Sequence, residues 1–267
     1  MFTIFWRTIK DRKTSLIVYC LGAVLVVWMF IAMFPTIQEQ SENFAKLAES
    51  YPEGFMAAFG IEQMSFDTIE SFLSLEHYSI LFPIMIIFLL LGLAGAAIAR
   101  EVEKGTIENL LSKPISRTKV FFGKYLAGIF ALVLFIIFGV FSTALLCEIS
   151  GIEYVLKAHA LVGALSFFFG WAVLSISFMF STIFSERNKT HMASGMILLG
   201  MYLANVAASL LDKISDLKYI SLFYYFDYNT ALLDSQLELL PIIVLGGVAI
   251  ICTAIGVVWF NKRDIAV

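Results

Sequence analysis

The stretch Arg100-Glu101-Val102-Glu103-Lys104-Gly105-Thr106-Ile107-Glu108-Asn109-Leu110-Leu111-Ser112-Lys113-Pro114-Ile115-Ser116-Arg117 separates two long apolar runs and is the densest charged segment of the chain. Gly105 permits a turn that other residues resist. Thr106 is placed to cap a short helix, with Glu108 in its first turn facing the positive end of the helix dipole. Ile107, Leu110 and Leu111 fall at i, i+3 and i+4, so they form one apolar stripe. Pro114 ends the helix, because the residue before a proline avoids the α region. The spacing predicts an amphipathic helix of about two turns, marginal alone and in need of a surface to pack on, either the bilayer or a partner protein.

The surroundings of this stretch set the class. Hydrophobic residues make up 60% of the 267, and the mean hydropathy is +0.88. Soluble domains are nearer half apolar, so this is an all-α, polytopic membrane protein. Six apolar runs have spanning length, at about 15–36, 78–99, 125–147, 160–184, 191–211 and 240–260. No stretch between them reaches domain size, which leaves one transmembrane domain over 1–267. The first run is too long for a signal-peptide core, and no small-residue cleavage site follows it. Residues 2–14 read as a short interfacial helix, with Phe2, Ile4, Phe5, Trp6 and Ile9 against Arg7, Lys10, Arg12 and Lys13, or as a basic flank that sets orientation. Residues 37–77 hold eight acids and one base, and Tyr51–Gly60 within them is apolar enough to rest on a membrane surface. Tyrosines among 223–228 suit an interfacial belt. Six spans put both termini on one side. That side collects fourteen of the eighteen Lys and Arg, leaving Lys46, Lys157, Lys213 and Lys218 opposite, so the termini and the 100–117 loop are expected in the cytoplasm.

What the chain lacks narrows its function. The six span interiors contain no Asp, Glu, Lys or Arg, whereas ion-coupled carriers place ionisable groups in the membrane. There is no HExxH pair, and His77, His159 and His191 read as polar residues near span ends. Cys20, Cys147 and Cys252 share no ligand or disulfide spacing and read as small packing residues. No Gly-x-x-x-x-Gly-Lys-Ser/Thr phosphate loop is present, so energy for uphill movement must come from another polypeptide. Inside the spans, Tyr202, Asn205 and the serines of the fourth run, Ser175 among them, serve either helix packing or substrate contact.

The acidic pair Glu101 and Glu103, then Gly105-Thr106, Glu108, Leu110-Leu111 and Pro114-Ile115-Ser116-Arg117, resembles the first cytoplasmic loop of ABC-2 type exporter permeases. Pro52-Glu53 through Phe59-Gly60 and the terminal Phe260 to Ile265 are similar to that family as well, while Ser221-Leu222-Phe223 stands where its usual Ser-Pro-Phe would be. The resemblance implies a six-span, non-enzymatic subunit of a prokaryotic cytoplasmic membrane, paired with a second permease as homo- or heterodimer. It implies a separate ABC ATP-binding subunit that holds ATP and Mg, with no cofactor or metal in this chain; membrane lipid is the other partner, and no nucleic acid is involved. The coupling helix would involve Glu101, Glu103, Gly105, Thr106, Ile107, Glu108, Leu110, Leu111, Pro114 and Arg117, with Glu186 and Arg187 as a second ATPase contact. The substrate path would lie between the two halves, with Tyr202, Asn205 and Ser175 as its candidates here and helix packing as their other reading. Glu101 and Glu103 are expected to hold Arg7, Arg12 or Lys13, or groups on the ATPase. An ion-coupled carrier and a membrane scaffold that recruits a cytoplasmic partner are the competing classes. The expected orientation has a direct check: an impermeant thiol reagent added to intact cells labels Asp216→Cys and leaves Lys104→Cys unlabelled.

Overall fold

The computed structural model describes residues 1–41, 66–112 and 114–264, with the side chains of Asn109, Leu111 and Asp212 left out. The Tyr51–Gly60 segment therefore lies outside the described residues. The fold is helical, with no strand among the described residues. Among the described residues, six helices are long and apolar enough to cross a membrane, one of them N-terminal.

Helix α1 is Phe2–Gln38, one unbroken helix of 37 residues. The short N-terminal helix expected over 2–14 is thus the first third of the first span rather than a separate element. Nothing between Asp11 and Ser15 interrupts it, since Lys13 and Thr14 carry neither the glycine nor the proline that stops a helix. After it come α2 (Ile69–Leu73), a π turn (Ser74–Tyr78), α3 (Leu81–Ala97), α4 (Ala99–Glu103) and α5 (Thr106–Leu111). The remainder is α6 (Arg117–Ser150), α7 (Leu156–Ile183), α8 (Arg187–Leu210), a 3-10 segment (Asp212–Ile220), α9 (Tyr228–Leu232) and α10 (Leu239–Lys262). At 1.5 Å per residue, α1 and α6 are about 55 and 51 Å long, against about 36 Å for α8 and α10.

Helix α6 is stopped at both ends by local chemistry. The Ser116 hydroxyl accepts the Lys119 N–H at 3.4 Å, and Gly151 adopts φ 67° so that Ile152 N–H closes on the Cys147 carbonyl at 3.0 Å. Helix α7 is the axis of the bundle: 72% of its apolar window is buried, against 17% for α8 and for α10. It packs on α3, α6, α8, α9 and α10, while α1 lies along α6. The α6–α7 seam is reciprocal. A Cβ on Gly128 would meet the methyls of Leu174 at 3.0 Å, and one on Gly170 would meet Leu132 at 2.5 Å. Each helix lends a leucine to the other's glycine, the close approach that small residues allow in a membrane. The serines and threonine of α7 mostly bond back to their own helix, Ser166 to Val162 at 2.6 Å, Ser177 to Val173 at 2.8 Å and Thr182 to Met179 at 2.7 Å.

Both termini share one end, here the proximal end; the opposite, distal end is closed by α2, the π turn, α9 and the 3-10 segment. The distal end is drier than the sequence implies. Tyr225 and Phe226, expected in an interfacial belt, are buried, with Phe226 4.7 Å from the Phe169 ring. His159 and His77 are fully buried rather than interfacial. Glu70 is buried with His159, 3.6 Å from its Nε2, and accepts the Val155 N–H at 2.7 Å. Burial pushes the Glu70 carboxyl up, but the nearby His159 ring and the Val155 N–H outweigh it and hold the group below its ordinary value.

His77 sits among the rings of Tyr78, Phe82 and Phe30 at 4.9, 5.2 and 5.8 Å, and neither ring nitrogen has a partner among the described residues. Burial pulls its pKa down to about 3. The folded state then binds no proton there while the unfolded chain does below about pH 6.5, so stability is full above that pH and falls as pH drops toward the folded value. His77→Phe keeps the aromatic contacts and removes the titration. Thermal melts from pH 7 to pH 5 should show a falling Tm for the native chain and a flatter profile for this variant.

Candidate functional site

The proximal end is built around a break in the third helix. Helix α3 stops at Ala97, Ile98 leaves helical geometry with φ −121°, and α4 starts at Ala99. A break strands backbone groups that water cannot easily reach, and each must find a partner. The Ser181 hydroxyl of α7 accepts the Ile98 and Ala99 N–H groups at 3.3 and 3.1 Å. The Ala97 carbonyl accepts from Lys124 Nζ of α6 at 2.5 Å. Lys124 is 4% exposed and pairs with the Glu101 carboxylate. One buried ammonium thus ties the last carbonyl of α3 to the first acid of α4.

Two more contacts hold the segment. Glu103 accepts the backbone N–H of Arg187 at 3.0 Å, at the start of α8. One turn before the break, a Cβ on Gly95 would lie 2.2 Å from His191 Nε2, so α3 and α8 touch where only glycine fits. Glu101 and Glu103 therefore hold Lys124 and the α8 N-terminus. Among the described residues neither acid forms an ion pair with Arg7, Arg12 or Lys13 of α1, because their carboxylates are taken by the buried ammonium and the helix N–H.

The turn into α5 uses Gly105 at φ 67°, which has no side-chain cap bond. Thr106 does not cap the helix as expected; its hydroxyl donates to the Glu101 carbonyl at 3.4 Å. Ile107 is 1% exposed, and Leu110 is half-buried against the same core. The apolar stripe of α5 thus faces this chain's own bundle, and Thr106 and Glu108 face outward. The Leu111 side chain lies outside the described residues. Pro114 is exposed beyond the helix.

Arg117 is spent within the chain. It donates to the Phe260 carbonyl at 3.2 Å and to the Arg263 carbonyl. Arg263 in turn donates to Thr182 and Phe184 carbonyls at 2.7 and 3.1 Å and to the Ser185 hydroxyl. Cations at helix C-termini satisfy carbonyls and oppose the dipole, so the start of α6 and the ends of α7 and α10 are tied together. Glu186 precedes α8, paired with Lys189 at 2.5 Å.

Sequence reasoning missed Lys124 and Arg263, and it read Ser181 with the other serines of the fourth run as helix packing or substrate contact, without its place at the break. Lys124 looked like a flanking cation because the apolar run starts after it, yet it is the eighth residue of α6. The three proposed path residues do not converge. Ser175 bonds Tyr125 at 2.6 Å, and Tyr125 also meets Trp171 and Thr253 at 2.7 and 2.8 Å, a knot between α6, α7 and α10. Tyr202 and Asn205 are half-exposed on α8, Tyr202 with its ring 5.3 Å from Phe223.

A cavity of about 540 Å³ opens beside the break, between the start of α1 and the end of α3 with α4. No group of metal-ligating residues occurs among the described residues.

A protein-family model described as "ABC-2 family transporter protein" matches residues 2–265. No curated protein matches the chain.

Lys124→Met should leave the buried Ala97 carbonyl without its partner, at about 1–3 kcal/mol, and release the Glu101 carboxylate, whose side chain is 31% exposed. A double-mutant cycle with Glu101→Gln, read by thermal melts in detergent, should show the two changes to be less than additive.

Proposed function

The chain belongs to the ABC-2 transporter family, a membrane-spanning permease component of an ABC transporter, and from that premise we propose that it serves an ATP-driven exporter. In this reading the proximal end faces the cytoplasm, as the fourteen cations gathered there favour, in the cytoplasmic membrane of a prokaryote. A separate ABC ATP-binding subunit supplies ATP, Mg and hydrolysis.

The observation that carries the reading is the way residues 99–117 are mounted. The segment is fixed to three different helices: to α6 by Lys124–Glu101, to α7 by Ser181, and to α8 by Glu103–Arg187. A push on α5 is thereby delivered to the spans instead of being absorbed by a slack loop. Because Ile107 and Leu110 face inward, the docking surface for the ATPase is the polar side, Thr106 and Glu108, with Glu186 exposed nearby at the start of α8.

The dimer reading draws support from α8. It is the least apolar span and only 17% of its apolar window is buried, yet it carries Tyr202, Asn205 and Ser209. Half-exposed polar groups on a spanning helix call for a facing helix, and a second permease subunit supplies one. The substrate path then runs between two copies of this face. An apolar, Phe-rich wall suits a hydrophobic or amphipathic cargo.

Co-purification tests the docking face. Glu108→Lys should reduce recovery of the ATP-binding subunit and leave the Tm of the isolated permease unchanged, whereas Leu110→Asp should lower that Tm by exposing charge to the core. Full ATPase recovery with Glu108→Lys would argue against this face.

A further inference from the structure

The cavity beside the helix break has a charge pattern that coupling does not use. Its walls carry Arg7, Arg12, Arg100, Lys104 and Lys124 against Asp11 and Glu101. Lys124 is matched by Glu101, and Arg7 lies 3.9 Å from Asp11. Arg12, Arg100 and Lys104 form no salt bridge among the described residues, and Asp11 offsets the charge of Arg12 only in part. Arg12 and Arg100 are only partly exposed, and Arg12 lies within electrostatic range of both Arg100 and Arg187. Guanidinium groups held close together in a half-buried recess repel one another unless an anion sits between them.

Part of the lining of the same cavity is apolar. Ile4, Leu93, Ala96, Ala97 and Leu110 line it. Leu93 and the two alanines belong to the last turns of the spanning helix α3, so the recess reaches from the charged rim into the level of the span. A ligand that satisfies both parts carries a phosphate at one end and an apolar body at the other. Guanidinium groups bind phosphate through paired, charge-assisted hydrogen bonds.

We propose that this cavity is a binding site for the phosphate head of an anionic phospholipid, clasped by Arg12 and Arg100 with Lys104 at the rim. The lipid bridges α1 and α4, two elements that no direct ion pair joins among the described residues. It thereby completes the mounting of the 99–117 segment with a molecule of the membrane itself. A free phosphate compound offers the same headgroup chemistry but leaves the apolar part of the lining uncovered, and the acidic side chains of a partner protein would have to reach past the rim.

Native mass spectrometry of the full chain in detergent, titrated with phosphatidylglycerol, phosphatidylcholine or glycerol phosphate, decides the matter. The expected result is preferential binding of phosphatidylglycerol. Arg12→Gln with Arg100→Gln should weaken it roughly 25-fold and Lys104→Gln about fivefold, from about 1 kcal/mol per basic group at a membrane surface. Lys10→Gln, exposed and outside the cavity, should change nothing. Lys104 is exposed, so its variant tests the site even where the double arginine variant fails to fold. Three results overturn the proposal. One is unchanged phosphatidylglycerol affinity in the folded variants. Another is glycerol phosphate binding as tightly as the lipid, which identifies a soluble phosphate ligand. The third is unchanged lipid affinity with lost recovery of an ATP-binding subunit, which assigns the basic rim to a protein partner.

Discussion

A helix that breaks where water is scarce must find partners for every backbone group it releases, and the proximal end of this protein is organised by that demand. The N–H groups of Ile98 and Ala99 go to Ser181, and the Ala97 carbonyl goes to Lys124. Lys124 is itself a buried cation and stays charged at low cost only beside an anion, which Glu101 provides. The acid nearest the break in sequence therefore answers a need created by the break. Removing any one of these groups strands another, so α3, α4, α6 and α7 are locked together by necessity of hydrogen bonding rather than by surface fit.

This gives the coupling reading a mechanical basis. A two-turn helix on a flexible loop transmits little force, because its own stability is small. Here α5 rests its Ile107 and Leu110 on the bundle, and α4 behind it is braced on three helices. Across the same end, Arg117 and Arg263 bind the start of α6 to the ends of α7 and α10. The parts that a partner can push on and the parts that cross the membrane share one framework, while α8 stays at its edge.

The six spans were legible because twenty-residue apolar runs without charge have few other uses. The Gly105 turn and the short helix after it were equally plain, since a positive φ and a following proline leave clear marks. The direction in which that helix faces was not. An i, i+3, i+4 stripe says that one side is apolar and is silent about whose surface it meets. Lys124 and the two buried histidines were missed for a related reason. A polar residue at the margin of an apolar run looks solvated, and only the three-dimensional neighbours show that the run's neighbour helices extend past it. The acids were recognised as anchors, but their partners, a lysine 23 positions downstream and a helix N-terminus, carry no local signal.

The unequal helix lengths have a consequence for how the protein sits in its solvent. A hydrocarbon layer of about 30 Å matches α8 and α10 and is far shorter than α1 and α6. These two lie side by side, so the longest rods form one pair, and that pair must lean, protrude or locally thicken the bilayer. Their proximal ends carry Arg12 and Lys124, which means that any change of lean moves the joint between α3 and α4. Membrane thickness and lateral tension thus bear on the same braced joint, and the lipid surroundings become part of what sets its position.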